Sequence, residues 1–252
     1  MLASLRFAAF GAGLDILSSF RRTGLGTLWP SLGVVLLVAA LGTFFGTILR
    51  ALVPDFEGYV MNLAAGMIAW TLLAGMLHQA ANQTWHYVTT LRHAALPLPS
   101  ATLRLLLRHL LILAQNLLLA AIAQRLLLGE IGWAPGWLLL GLLLLTANCY
   151  WMALLISLAC ARFRDLPQLV AWTVHLAFFL TPILWPLEFL TRYAWLELPN
   201  PFHHLVELVR APLLGAPIGD IHLLACLLWL LLGGGFTWTA LRAMRHRLPY
   251  WT

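Results

Sequence analysis

The sequence contains no lysine, and this absence excludes one class of energy-coupled protein. All 15 of its Lys and Arg residues are arginines. A phosphate-binding P-loop needs a lysine that reaches the nucleotide phosphates, so this chain cannot hold that motif. If ATP drives its function, a second polypeptide must bind the ATP.

Carboxylates are also scarce, and they avoid the long apolar stretches. There are only nine Asp and Glu residues, and all of them lie outside the six apolar segments given below. Ion-coupled transporters usually place ionisable residues within the bilayer, so the sequence argues against proton or sodium coupling. The three cysteines, which lie in apolar stretches, indicate no disulfide framework.

What the sequence has in excess is hydrophobic residues. They make up 62% of the 252 residues, and the mean hydropathy is +0.86. A helix that crosses a bilayer needs ~20 mostly apolar residues. Six segments meet this length: 30–52, 60–82, 104–127, 137–160, 168–187 and 221–243. We therefore predict an all-α membrane protein, with six transmembrane helices in a single domain that covers residues 1–252.

The placement of the arginines predicts the orientation of these spans. Connections on one side hold 11 of the 15 arginines but only two of the nine acidic residues, Asp15 and Asp165. Because positive residues concentrate on the cytoplasmic side, both termini and the 83–103 loop are predicted to be cytoplasmic, in a bacterial inner membrane. The arginines form no continuous basic stripe, which argues against a nucleic-acid partner.

Two segments outside the spans carry their own helix signals. Residues 1–23 have an apolar arc and a polar arc that includes Asp15, which predicts an amphipathic helix lying in the membrane interface. In the outer segment 188–220, Asn200 supplies a cap, Pro201 the first helical position and Pro212 a stop signal. This pattern predicts a short re-entrant or surface hairpin before the last span.

Histidines are the candidates for metal or haem chemistry. His203, His204 and Glu207 fall in the predicted outer helix, but the H-E-x-x-H spacing of a common zinc site is missing. The pattern favours a hydrogen-bonded cluster that includes Arg210 over a metal site. Two further candidates near apolar spans, where packing against a neighbouring helix is the alternative to a haem or proton role, are His175 and His222.

The 83–103 loop is the candidate docking surface for an ATP-binding partner. It is too short to be a domain, and it mixes aromatic, basic and proline residues. The candidate contact residues are Trp85, Tyr87, Arg92 and His93. An ordinary connection between two helices is the alternative.

Aromatic residues are abundant, with 12 Trp and 12 Phe in the chain. Their faces stack on the apolar faces of sugars, so they can line a polysaccharide path that carries no charge. Packing between helices is the alternative for each of them. Those within the predicted spans include Phe44, Phe45, Trp70, Tyr150, Trp151, Trp172, Phe178, Phe179 and Trp185.

Several short strings stand in a characteristic order along this six-span frame. They are residues 21–29 (RRTGLGTLW), 162–165 (RFRD), 181–183 (TPI) and 200–202 (NPF), followed by Arg210 and 213–215 (LLG). Together they resemble the membrane subunit of type-2 ABC exporters, in the branch that exports O-antigen and related polysaccharides. The resemblance covers essentially the whole chain.

The resemblance implies a homodimeric permease with two ATPase subunits, which would carry the ATP and Mg²⁺, and no cofactor on this chain. It implies that a lipid-linked glycan passes through a channel at the dimer centre, formed mainly by the first and fifth spans. The channel-lining candidates are then Phe44, Phe45, Trp172, Phe178, Phe179 and Trp185. Arg162, Arg164 and Asp165 match an element expected to contact the ATPase or the substrate phosphate.

Two other functions remain open from the sequence. An ABC exporter of a hydrophobic drug or lipid would share the same frame and would use the aromatic residues as a binding pocket. An intramembrane haem or metal protein would instead use the histidines.

Overall fold

The computed structural model describes residues 26, 28–48, 56–86, 98–127, 129–184 and 199–244. Within these ranges the chain forms seven helices and no strand, which confirms the predicted all-α class. The helices are α1 (Leu28–Ile48), α2 (Phe56–His86), α3 (Leu98–Leu127), α4 (Pro135–Arg162), α5 (Leu166–Leu180), α6 (Pro201–Leu213) and α7 (Asp220–Met244). The predicted interface helix over 1–23 lies outside the described residues.

Five of these helices, α1, α2, α3, α4 and α7, are long and apolar enough to cross a membrane. Helix α2 is the central one, since it packs against α1, α3, α4, α5 and α6. Its side chains Leu63, Leu73 and Met76 are completely buried in the main hydrophobic core. An apolar helix that is buried on most of its circumference is typical of the centre of a membrane bundle.

Helix α5 is shorter than the predicted fifth span. The prediction placed a span over 168–187, but the helix has 15 residues and ends at Leu180. The reason is Pro182, which disfavours the helical conformation of the residue before it. Thr181 accordingly adopts an extended backbone, with φ −90° and ψ 132°. At ~1.5 Å per residue the helix is about 22 Å long, less than the ~30 Å hydrocarbon core.

The predicted 83–103 loop is also partly helical at both ends. Helix α2 continues to His86, and α3 already begins at Leu98. Pro99 lies in the first turn of α3, where a missing backbone N–H costs no helical hydrogen bond.

Helix α6 is a short helix inside the bundle. It begins at Pro201 as predicted, and the Asn200 side chain accepts a hydrogen bond from the Phe202 backbone N–H at 3.0 Å. Ten of its 13 residues are buried, because it packs against α2, α4 and α7. The 13 residues of this helix are too few to cross a bilayer.

Two glycines allow the close approach of neighbouring helices to α4. A Cβ atom at Gly141 would overlap the backbone carbonyl of Leu208, so α4 and α6 touch backbone to backbone at this point. A Cβ atom at Gly233 of α7 would overlap the Trp151 indole. Small residues at helix interfaces are the usual way for membrane helices to pack closely.

Candidate transport and coupling sites

Arg210 and Glu207 form a buried ion pair on α6. The exposed fraction of Arg210 is 1%, and Glu207 is also buried. The Arg210 Nη2 atom donates to Glu207 Oε1, and its Nη1 atom donates to the backbone carbonyl of Pro182, just beyond α5. The ion pair therefore neutralises the buried charge and also attaches α6 to the end of α5.

Three side chains from different parts of the chain converge on the end of α5 and the turn that follows it, residues 180–184. Besides Arg210, the Asn200 Nδ2 atom donates to the Leu180 carbonyl at 3.1 Å, and the Tyr59 hydroxyl donates to the Leu184 carbonyl at 2.9 Å. We call this arrangement the α5–α6 junction. It replaces the hydrogen bonds that the backbone lost when the helix ended.

The junction was only partly visible in the sequence. Asn200 was predicted as a helix cap and Arg210 as part of a polar cluster, and the structure confirms both. Tyr59 was missed, because it lies 125 residues before its partner and no local pattern marks it. Likewise, no sequence signal identified the Pro182 carbonyl as the acceptor for Arg210.

The surroundings of Glu207 and His203 on α6 shift the pKa values of both side chains. Burial by itself would raise the pKa of Glu207, but the Arg210 charge and hydrogen bond outweigh it and hold this pKa below its usual value. Burial lowers the pKa of His203 to about 4. At neutral pH, Glu207 is therefore ionised and His203 is neutral.

The histidines form a contact between α6 and α7. His204 Nδ1 and His222 Nδ1 lie 2.8 Å apart, so one of these nitrogens carries the shared proton. The His203 ring lies 5.2 Å from the His222 ring, centroid to centroid. Among the described residues, no group of three or more His, Cys, Asp or Glu side chains is arranged to hold a metal ion. The observed contacts match the predicted hydrogen-bonded cluster.

Five of the six predicted channel residues are described, and they fall into two groups. Phe44 of α1 and Trp172 and Phe179 of α5 are exposed, the last two by 67% and 63%. Phe45 and Phe178 are half-buried and pack against the core. Trp185 lies outside the described residues. The exposed members thus lie on two helices that both pack against α2.

Phe178 belongs to a chain of aromatic contacts inside the protein. Its ring centroid lies 5.5 Å from that of Trp70 and 5.4 Å from that of Phe179. Trp70 in turn contacts Phe202 of α6, at 5.9 Å. Phe178 therefore connects the exposed face of α5 to α2 and α6.

The predicted Arg–Asp element forms an exposed turn between α4 and α5. Arg162 ends α4, and residues 163–165 form the turn before α5 begins at Leu166. Arg162, Arg164 and Asp165 are all exposed. The Arg162 guanidinium lies 5.6 Å from the Phe163 ring centroid. Both charge signs are thus presented on one tight connection.

The other predicted coupling residues cannot be placed in the same way. Trp85 lies in the last turn of α2, and its side chain is not among those described. Tyr87, Arg92 and His93 lie outside the described residues. Whether these four side chains contact a partner stays a prediction.

Residues 14–214 match the family described as ABC-2 type transporter. This range covers most of the chain and includes α1 to α6, the α5–α6 junction and the Arg–Asp turn. The chain belongs to the ABC-2 transporter family. A search of curated proteins found no match.

Membership in the ABC-2 family confirms part of the earlier predictions. An ABC-2 membrane domain is a multi-pass transport permease, and the family implies an ATPase partner. This agrees with the missing lysine, since the chain itself cannot form a P-loop.

Proposed function

We propose that this ABC-2 permease exports a lipid-linked polysaccharide, such as O-antigen or a similar cell-surface glycan. In this proposal two copies of the chain form a homodimer, and two ATPase subunits bind on the cytoplasmic side of a bacterial inner membrane. Both termini lie in the cytoplasm, and α6 lies at the outer face. ATP and Mg²⁺ are bound by the ATPase subunits.

The observation that carries the proposal is the uncharged aromatic face of α5. Leu169, Trp172, Leu176, Phe179 and Leu180 are all exposed, while only Val174 and Ala177 of this helix are buried. Spacings of three and four residues place the exposed residues on one side of the helix. Within the described chain this face has no covering helix, so it is available to a second copy and to the substrate.

Such a surface suits a long neutral polymer better than an ion. Trp and Phe rings offer stacking contacts that hold a sugar chain without fixing it at one point, whereas an ion needs charged or closely spaced polar ligands. No carboxylate occurs in the described parts of α1 and α5. The polymer can therefore move along the surface without breaking strong charge pairs.

In this proposal, the energy of ATP hydrolysis reaches the permease through its contacts with the ATPase. The exposed Arg–Asp turn directly precedes α5, so a force applied to this turn acts on the helix that carries the aromatic face. At its other end α5 is attached to α6 through Arg210 and Asn200. We propose that α5 and α6 move together when the ATPase subunits bind ATP.

The aromatic face is tested by replacing Trp172 and Phe179 with alanine, singly and together. Each single variant should lower the amount of surface glycan several-fold in cells that lack the native copy, and the double variant should lower it further. Phe236→Ala on α7 is the matched control, because Phe236 is equally exposed and lies on a helix outside the proposed channel. Its glycan level should not change.

All variants should still copurify with the ATPase, which separates transport from assembly. Unchanged surface glycan in the double variant would remove the aromatic face from the transport path. If such cells instead became sensitive to a hydrophobic drug, the chain would be an exporter of small molecules and the polysaccharide proposal would be wrong.

A further inference from the structure

One histidine lies on the otherwise apolar, aromatic face of α5. His175 follows Trp172 by three residues and precedes Phe179 by four, so the three side chains share one side of the helix. His175 is exposed, as Trp172 and Phe179 are. Aromatic stacking on sugars gives this side chain no role, because Trp172 and Phe179 already supply the stacking surfaces.

Two contacts hold the His175 ring in position. Its Nδ1 atom lies 2.7 Å from the backbone carbonyl of Ala171, one turn earlier on α5. The ring also contacts the half-buried imidazole of His78 on α2, with 5.4 Å between the centroids and 60° between the planes. Since α2 is the central helix of the bundle, His175 is a positioned group and not a freely rotating surface side chain.

The contact with Ala171 determines which ring nitrogen of His175 can bind a ligand. A carbonyl oxygen can only accept a hydrogen bond, so Nδ1 carries the proton and donates it. In a neutral imidazole the other nitrogen, Nε2, is then an acceptor. Within the described part of the chain, Nε2 of His175 has no hydrogen-bond partner. The face of α5 therefore offers one positioned acceptor between two aromatic rings.

The depth of this acceptor in the bundle argues that the face does not contact lipid tails. His78 lies eight residues before the end of α2, and His175 lies nine residues after the start of α5. These distances are about 12 Å and about 14 Å along the two helices, close to half of the ~30 Å hydrocarbon core. Lipid tails have no donor for Nε2, and intramembrane histidines almost always face protein or a water-filled cavity. This side of α5 therefore faces polar material.

We propose that His175 binds the sugar hydroxyl groups of the glycan as it passes along α5. This inference rests on the proposed export of a polysaccharide. His175 Nε2 accepts a hydrogen bond from a hydroxyl group, while Trp172 and Phe179 stack on neighbouring sugar rings. These two aromatic residues are seven positions, about 10 Å, apart along the helix, which is comparable to the length of a disaccharide.

The chemistry of the acceptor selects a hydroxyl group over other ligands. A phosphate group has only acceptor oxygens when it is ionised, so it finds no donor at Nε2 of a neutral His175. A hydrophobic drug would leave Nε2 without a partner inside the membrane. One neutral hydrogen bond contributes only ~1 kcal/mol, so it selects for hydroxyl groups and still breaks readily as the polymer advances.

The test replaces His175 in the complex of this chain with its ATPase, and measures ATP-dependent uptake of lipid-linked glycan into inverted vesicles. His175→Phe keeps a ring against His78 and removes the acceptor, so the apparent KM for the glycan should rise roughly two- to tenfold, the effect of one hydrogen bond. His175→Gln places an amide near the position of Nε2 and should restore most of the native KM. A native KM in His175→Phe, or a better recovery with Phe than with Gln, would overturn the proposal.

Thr173→Val is the matched control on the same helix. Thr173 is also exposed, but its hydroxyl group already donates to the Leu169 carbonyl at 2.8 Å. Its replacement should leave the KM unchanged. All variants should copurify with the ATPase. A His175→Phe chain that no longer assembles would show that His175 holds the complex together, and the proposed contact with the glycan would be wrong.

A glycan with O-methylated sugars separates the hydroxyl groups from the phosphate of the lipid linker. This substrate cannot donate to Nε2, so the native and the His175→Phe complexes should take it up with the same KM. A difference that persists with the methylated glycan would place the contact at the phosphate and overturn the proposal.

Failure of this inference is distinguishable from failure of the proposed function. A native complex that hydrolyses ATP but takes up no glycan would reject polysaccharide export, and the role of His175 with it. A native complex that takes up glycan, with an unchanged KM in His175→Phe, would reject the role of His175 alone.

Discussion

Arg210 shows how much of this fold depends on a single polar side chain. It is almost completely buried, pairs with Glu207 on its own helix, and reaches the Pro182 carbonyl beyond α5. Because burying an ion pair has a large desolvation cost, the net contribution of the pair to the free energy of folding is small. Removing one partner, however, leaves a buried charge without a counter-charge. Arg210 therefore adds little net stability, but the α5–α6 junction requires it.

We expect Arg210→Met to destabilise the protein by about 3–5 kcal/mol, because it leaves Glu207 ionised and buried without a partner. The double variant Arg210→Met with Glu207→Leu removes both charges and should recover most of this loss. The measurement is the thermal unfolding midpoint of the purified protein in detergent. Equal midpoints for the single and the double variant would show that the ion pair does not couple these residues.

The lowered pKa of His203 predicts that the stability of the protein depends on pH. Its pKa in the folded protein is about 4, below the ordinary value of 6.5, so the unfolded chain binds the proton more tightly. Its contribution to stability is therefore complete above pH 6.5 and is lost as the pH falls from 6.5 towards 4, by up to roughly 3 kcal/mol.

His203→Phe keeps an aromatic ring and cannot be protonated, so its unfolding midpoint should fall less steeply between pH 7 and pH 5. The other histidines are present in both proteins, and the difference in slope isolates His203. Identical slopes would contradict the assignment of a lowered pKa to this residue.

At the scale of elements, the close contact between α4 and α6 is the most specific feature. Five of the six predicted spans are confirmed, because a bilayer accepts only long apolar helices and the hydropathy of each of these segments is high. The fifth span was predicted too long, because Pro182 ends α5 at Leu180. Asn200 and Pro201 likewise predicted the start of α6, since a cap acts on the residues beside it. The burial of α6 could not be predicted, because it depends on Gly141, which lies 67 positions before Leu208 in the sequence.

Gly141→Ala should therefore separate α4 from α6 and destabilise the protein by about 1–3 kcal/mol, the usual cost of overpacking. Gly234→Ala on α7 is the control, because a Cβ atom at Gly234 meets nothing within 4 Å. That change should leave the unfolding midpoint the same or raise it slightly, since alanine favours helices. A Gly141 variant as stable as the Gly234 variant would contradict the close contact.

At the scale of the whole molecule, composition predicts some features of the candidate site and leaves others undetermined. The absence of lysine and of carboxylates in the spans already indicated a conduit that depends on another subunit for energy, and ABC-2 membership confirms a transport permease. The sequence identifies the aromatic residues, but it does not show which of them are buried and which are exposed. Phe178 and Phe179 are adjacent, yet only packing decides that one is half-buried against Trp70 and the other exposed.

The central claim is that this chain moves a lipid-linked glycan when a separate ATPase hydrolyses ATP. The most direct measurement uses inverted membrane vesicles that contain the chain and its ATPase, and follows the uptake of a radiolabelled lipid-linked glycan. We predict uptake that requires ATP and both subunits, and that falls several-fold with Trp172→Ala. An assembled complex that hydrolyses ATP but takes up no glycan would contradict the claim.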